Sequence, residues 1–173
     1  MLWSLSRLTT RSSRHRLAVR LNLGVRRMTE PSCKLQFALD MDGDWPPVSS
    51  EAVWCEPQGS GFKLQNAPFF VKGLAVNDVF EAEPDPVNGH IFEFRVTRPS
   101  QHCLVWLLNN TDTPVDSVLS RLSDLGCSTE GLQQFSLYAI DVPPKVSESE
   151  LNAALDAAES AGFDLAFPVW RRE

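Results

Sequence analysis

A chain of 173 residues and 19.3 kDa holds one ordinary domain with a tail, or one domain of two small halves, and excludes a large multidomain enzyme. Hydrophobic residues at 43% and charged residues at 22% fit a globular core and exclude wholesale disorder. No run reaches the ~18–20 apolar residues that a membrane-spanning helix needs.

Residues 1–27 carry seven arginines (Arg7, Arg11, Arg14, Arg16, Arg20, Arg26 and Arg27) and no acid, leaving 9 basic against 22 acidic residues, a net charge of −13, for the rest. That body repels a phosphate backbone, so no nucleic-acid partner is expected, and no membrane partner either. Leu17, Leu21 and Val25 fall on one stripe of the Arg-rich segment, the composition of a mitochondrial transit peptide. The simpler expectation is a native start at Met28, because the acidic body begins so abruptly there, with the leader not native or disordered. Residues 28–173 then form a single domain in the cytoplasm. A genuine transit peptide would make it mitochondrial.

Alternation predicts strands over 34–39, 52–56 and 62–65, the last two joined by a Gly59-Ser60-Gly61 turn. Further strands are expected over 78–83, 90–98 and 103–108. A two-residue Asn88-Gly89 loop would set Glu83 opposite Phe94, whereas a three-residue Val87-Asn88-Gly89 loop pairs Phe80 with Val96 and Ala82 with Phe94. The second register is preferred, since its inner face is wholly apolar. Outside, Glu81 meets Arg95 and Glu83 faces Glu93, a carboxylate pair that reads first as a solvated face and second as an acid/base or metal site. The stretch 103–108 is apolar on both faces, as a central strand shared between two halves would be.

Thr113-Pro114-Val115-Asp116 reads as an N-cap, a proline in the first turn and an acid, opening a helix that Gly126 stops. A strand over 135–142 ends at Pro143-Pro144. Ser147 and Glu150 form a capping box for a helix closed by Gly162, and a last strand over 163–170 carries Pro168, which places it at an edge. The expected class is α+β: a small antiparallel barrel-like β half over about 34–108 joined to a β-α-β-α-β, ferredoxin-like half over 109–173.

Chemical motifs are sparse. Asp40, Asp42, Asp44 and Glu51 imitate the ends of a calcium loop, but Trp45 stands where the loop needs glycine and prolines follow, so a plain acidic turn is expected. Gly59-Ser60-Gly61 is neither a nucleophile elbow nor a phosphate loop. Cys33, Cys55, Cys103 and Cys127 have no zinc-like spacing and read as reduced, Cys55 and Cys103 as small buried hydrophobes. No catalytic residue, cofactor or metal is assigned.

The segment Asn66-Ala67-Pro68-Phe69-Phe70 is the least ordinary stretch, because neighbours in an extended chain point to opposite sides. Either one ring is presented to a partner or the loop plugs the barrel end. This segment, together with Asp44-Trp45-Pro46-Pro47, Glu51-Ala52-Val53-Trp54-Cys55-Glu56, Gly73-Leu74, Asn77-Asp78-Val79, Leu125-Gly126-Cys127 and Ala139-Ile140-Asp141-Val142-Pro143, resembles the bacterial family known only as domain of unknown function 4265. The resemblance covers about 34–170 and implies no activity or site residues.

Two functions stay open. As an interaction module, regulatory or toxin-neutralising, the acidic surface would engage a protein partner with a basic surface, through Asn66, Pro68, Phe69, Phe70, Glu83 and Glu93. As a small-ligand binder or enzyme, the protein would use a cleft between its halves, with Glu83, Glu93 or His102 as polar groups.

Overall fold

The computed structural model describes residues 32–172. The 1–27 leader and Met28 lie outside the described residues. Alternating apolar positions put β1 (Cys33–Ala38), β2 (Ser50–Gln58), β3 (Gly61–Leu64) and β4 (Val79–Ala82) into one antiparallel run, with Phe37, Val53, Cys55, Leu64 and Phe80 in its core. Gly61 is required there, since a Cβ would run into the Phe80 carbonyl oxygen of the neighbouring strand.

The expected strand over 90–98 is broken. His90–Ile91 (β5) pairs in parallel with β1, while Phe94–Arg98 (β6) pairs antiparallel with β4. One stretch of chain therefore holds both edges of the sheet, ordered β5-β1-β2-β3-β4-β6, and the sheet curls into a half-barrel. The break falls at Phe92 and Glu93, both exposed, where the chain leaves one ladder for the other. Phe80 faces Val96, Glu81 faces Arg95 and Ala82 faces Phe94, the apolar register that the sequence favours. The ladder ends at Ala82 and Phe94, so Glu83 and Glu93 are not ladder partners, which corrects that expected pair.

The second half runs β7 (Cys103–Leu108), α1 (Asp116–Asp124), β8 (Ser128–Leu132), β9 (Leu137–Val142), α2 (Glu148–Ser160) and β10 (Asp164–Val169), so it begins at Cys103 rather than at the expected 109, because β7 pairs with β9 and β10. Its antiparallel sheet is ordered β10-β7-β9-β8, the β-α-β-β-α-β arrangement of ferredoxin-like folds. The expectation lacked β8, whose Ser-Thr-Glu-Gly-Leu carries no apolar alternation, and none of its five residues is fully buried. The 135–142 strand begins at Leu137, after a 3-10 turn over Gln133–Phe135. Helix α1 opens with Val115 as N-cap, two residues past the expected Thr113. Ser147 does cap α2 by position, but its hydroxyl lies 3.2 Å from that of Ser149 and the box is not closed. Pro168 sits on the edge strand β10, where pairing with β7 shifts between Ala166 and Val169.

Strand β7 joins the halves as expected. Cys103, Val105 and Leu107 pack with α1 and α2, whereas Leu104 and Trp106 pack with Ala67, Phe70 and Ala75 from the β half. Each buried Val, Leu or Phe among them contributes about 1.5–3 kcal/mol. The indole N–H of Trp106 donates to the Pro68 carbonyl at 2.8 Å, so burying this polar tip leaves no orphan donor.

Candidate functional site

Parity along β2 turns Glu51 inward with Val53 and Cys55. Its buried carboxylate accepts three backbone N–H groups, from Phe69 at 2.6 Å, Phe70 at 2.8 Å and Val71 at 2.9 Å. Burial pushes the Glu51 pKa up, while the three N–H donors pull it back. The loop 66–76 is thus moulded around a charged side chain, and the main chain of Trp54 is tied to the Asn66 amide oxygen at 2.7 Å.

That clamp turns the loop inward. Pro68 and Phe70 are buried, and Asn66 and Phe69 are half-buried. Phe70 packs edge-on to Trp45 and Phe135, and Phe69 lies against the same cluster. Neither ring is fully presented, so the expected split into one buried and one exposed ring becomes one buried and one half-covered.

Glu83 and Glu93 lie elsewhere, on an open groove of ≈ 650 Å³ beside the break between β5 and β6. Glu81, Asp85 and Arg95 line it too, as does Phe92, 62% exposed. Arg95 is already paired with Glu81 at 2.6 Å, and Asp85 accepts the N–H groups of Val87 and Asn88. Glu83 and Glu93 have no side-chain partner among the described residues, which leaves the groove net acidic. The loop containing Asp40, Asp42 and Asp44 closes as a turn, with Asp42 and Trp45 bridged, and does not form the helix-flanked calcium loop. Among the described residues no group of three His, Cys, Asp or Glu side chains could hold a metal ion.

A cleft between the halves does exist, as an apolar slot of ≈ 300 Å³ between Trp45 and Lys72 on one side and Trp106, Leu108, Leu137 and Leu165 on the other. None of Glu83, Glu93 and His102 lines it, which corrects their expected place. His102 belongs to a polar network that staples the halves. Its Nδ1 meets Asp141 at 2.7 Å and its Nε2 meets the Asn77 amide at 3.3 Å. Burial pushes the Asp141 pKa up, with His102 pulling it down. An Asp-His pair can aim an imidazole at a nucleophile, but here an amide occupies that position.

Nearby, Asp78 is fully buried and takes both arms of Arg171, at 2.7 and 2.8 Å, with N–H donors from Ala75 and Ser100. Burial works to raise its pKa, yet Arg171 and the N–H donors together hold it below the ordinary value. All four thiols are free, with burial pushing Cys55 up to about 12 and Cys127 up to about 11. Glu51, which the sequence offers only as the end of a calcium-like loop, is a clamp for the 69–71 backbone, and Asp78, Asp141 and Arg171 were not among the expected site residues. Only Glu51 left a signal, an acid sharing strand parity with Val53 and Cys55.

Residues 51–165 match the family described as Domain of unknown function (DUF4265). The fold is similar to that of a hypothetical protein from Neisseria gonorrhoeae, with a TM-score of 0.63 and 17% identity over 79% of this chain and 95% of that one. At that identity the likeness is one of fold. No curated protein matches the chain.

Proposed function

The chain belongs to the DUF4265 family, and from that premise we propose a binding module that takes a basic segment of a protein partner along the acidic groove beside β4 and β6. The observation that supports this reading is the imbalance of charge in the groove: Glu81, Glu83, Asp85 and Glu93 against a single arginine already paired with Glu81. Exposed carboxylates act over roughly 8–10 Å at physiological salt, enough to steer and orient a polybasic segment while adding modest affinity. The exposed Phe92 ring in the groove's lining adds an apolar contact.

A fluorescent Lys/Arg-rich peptide tests the reading by anisotropy at low and high salt. Binding should weaken steeply with salt and disappear in the double variant Glu83→Lys, Glu93→Lys; equal binding by that variant and the wild type would overturn it. A second reading, a small apolar ligand in the slot between the halves, is favoured by its lining of Trp45, Trp106, Leu108, Leu137 and Leu165. An apolar dye displaced by Leu165→Trp would support that alternative, and a dye indifferent to the substitution would remove it.

A further inference from the structure

Phe92 lines the groove and also a second cavity of ≈ 370 Å³, so the two adjoin at this side chain. Interspersed with the aliphatic Ala38, Leu39, Pro46 and Val71, five aromatic side chains line this cavity, Phe37, Trp45, Phe70, Phe92 and Phe94. Two edge-to-face pairs brace them: Trp45 with Phe70 at 5.5 Å between centroids, and Phe37 with Phe94 at 5.6 Å. Asp40 and Asp42, both exposed, complete one side, and Lys72 stands on the rim.

We propose that this cavity receives the cationic side chain, lysine or arginine, of the basic segment lying in the groove, and this rests on the reading given above. Ring faces carry a negative quadrupole that attracts ammonium and guanidinium groups, most strongly at tryptophan. The aliphatic part of the lining would accept any apolar group, and it is the aromatic rings beside the two carboxylates that favour a cation. The volume suits a side chain with its adjoining backbone, at the small end of ligand pockets. Asp40 and Asp42 supply the charge complement without being buried, so they hold no desolvation penalty in the empty state. The wall is also fixed in place: Glu51 clamps the N–H groups of Phe70 and Val71, directly before Lys72.

Lys72 gives the proposal its sharpest test. It is exposed, has no ion pair among the described residues, and carries the same sign as the proposed occupant. Its removal should strengthen the binding of a cation. An anionic occupant would instead be anchored by Lys72 and weakened by its loss.

The probe is the acetylated amide of trimethyllysine, titrated while the indole resonance of Trp45 is followed by NMR, alongside the basic peptide. Wild type should bind the probe. Phe92→Ala and the double variant Asp40→Asn, Asp42→Asn alter exposed residues and should fold normally, yet weaken the probe about tenfold. Lys72→Ala should tighten it, and Glu83→Lys with Glu93→Lys should leave it unchanged while abolishing the peptide. If the peptide binds wild type and the Asp40→Asn, Asp42→Asn variant alike and the probe leaves Trp45 unmoved, the cavity proposal falls and the groove reading stands. If the probe binds as stated but the peptide does not bind at all, the groove reading falls while the cavity's taste for cations stands. Weaker probe binding in Lys72→Ala would overturn the assignment of a cation.

Discussion

Replacing Glu51 by glutamine should loosen the loop that walls the cavity, and the structure sets the size of the effect. Glutamine keeps the length of the side chain but offers one acceptor oxygen where glutamate offers two. Its better orientation leaves that oxygen on the N–H groups of Phe70 and Val71, and turns an amide nitrogen against the N–H of Phe69. One orphaned buried donor costs about 1–3 kcal/mol, and the remaining two bonds fall from about 1.5–3 to about 0.5–1.5 kcal/mol each. Against this stands relief of the desolvation that pushes the Glu51 pKa up. The net expectation is a loss of about 2–3 kcal/mol for Glu51→Gln, and about 3–5 kcal/mol for Glu51→Ala, which orphans all three donors. Urea unfolding should show the midpoint falling at constant slope, and amide exchange at Phe69, Phe70 and Val71 should accelerate before the rest of β2. A Glu51→Gln protein within about 0.5 kcal/mol of wild type, with those amides still protected, would refute the clamp.

Phe70→Ala removes a buried ring packed on Trp45 and Phe135 and should cost about 3–5 kcal/mol, whereas Phe69→Ala, from a half-buried site, should cost about 1–2 kcal/mol; equal losses would contradict the inward turn of the loop. Arg171→Ala leaves the buried Asp78 carboxylate without its counter-ion and should cost about 3–5 kcal/mol near neutral pH. Because Asp78 has a folded pKa below its unfolded one, the stability it adds is complete above about pH 4 and is lost as pH falls through the folded value. The gap between wild type and Arg171→Ala should therefore shrink on acidification, and a gap constant from neutral to strongly acid pH would show that the pair is not the source.

Much of the fold was legible because its signals are local. The register of β4 and β6 followed from requiring Phe80, Ala82, Phe94 and Val96 on one face, and that requirement stays within one stretch of chain, residues 80–96. The central place of β7 followed from its unbroken apolar run, and the edge place of β10 from Pro168. The polar strand β8 gave no such pattern, since its position is set by β9 alone and its outer side faces solvent.

Of the site, the sequence by itself determined the ingredients: the acidic body, the free carboxylates Glu83 and Glu93, and an aromatic loop too apolar to be ordinary surface. Tertiary structure alone decided their grouping. It moved Phe70 into a cavity wall with Trp45 and Phe94, separated Glu83 and Glu93 from the cleft between the halves, and brought Asp78 to Arg171 across 93 positions of chain. The reason is that apolar burial follows a period along the chain, whereas a buried charge is compensated by whichever donor the closed fold carries to it, and that choice leaves no period to read.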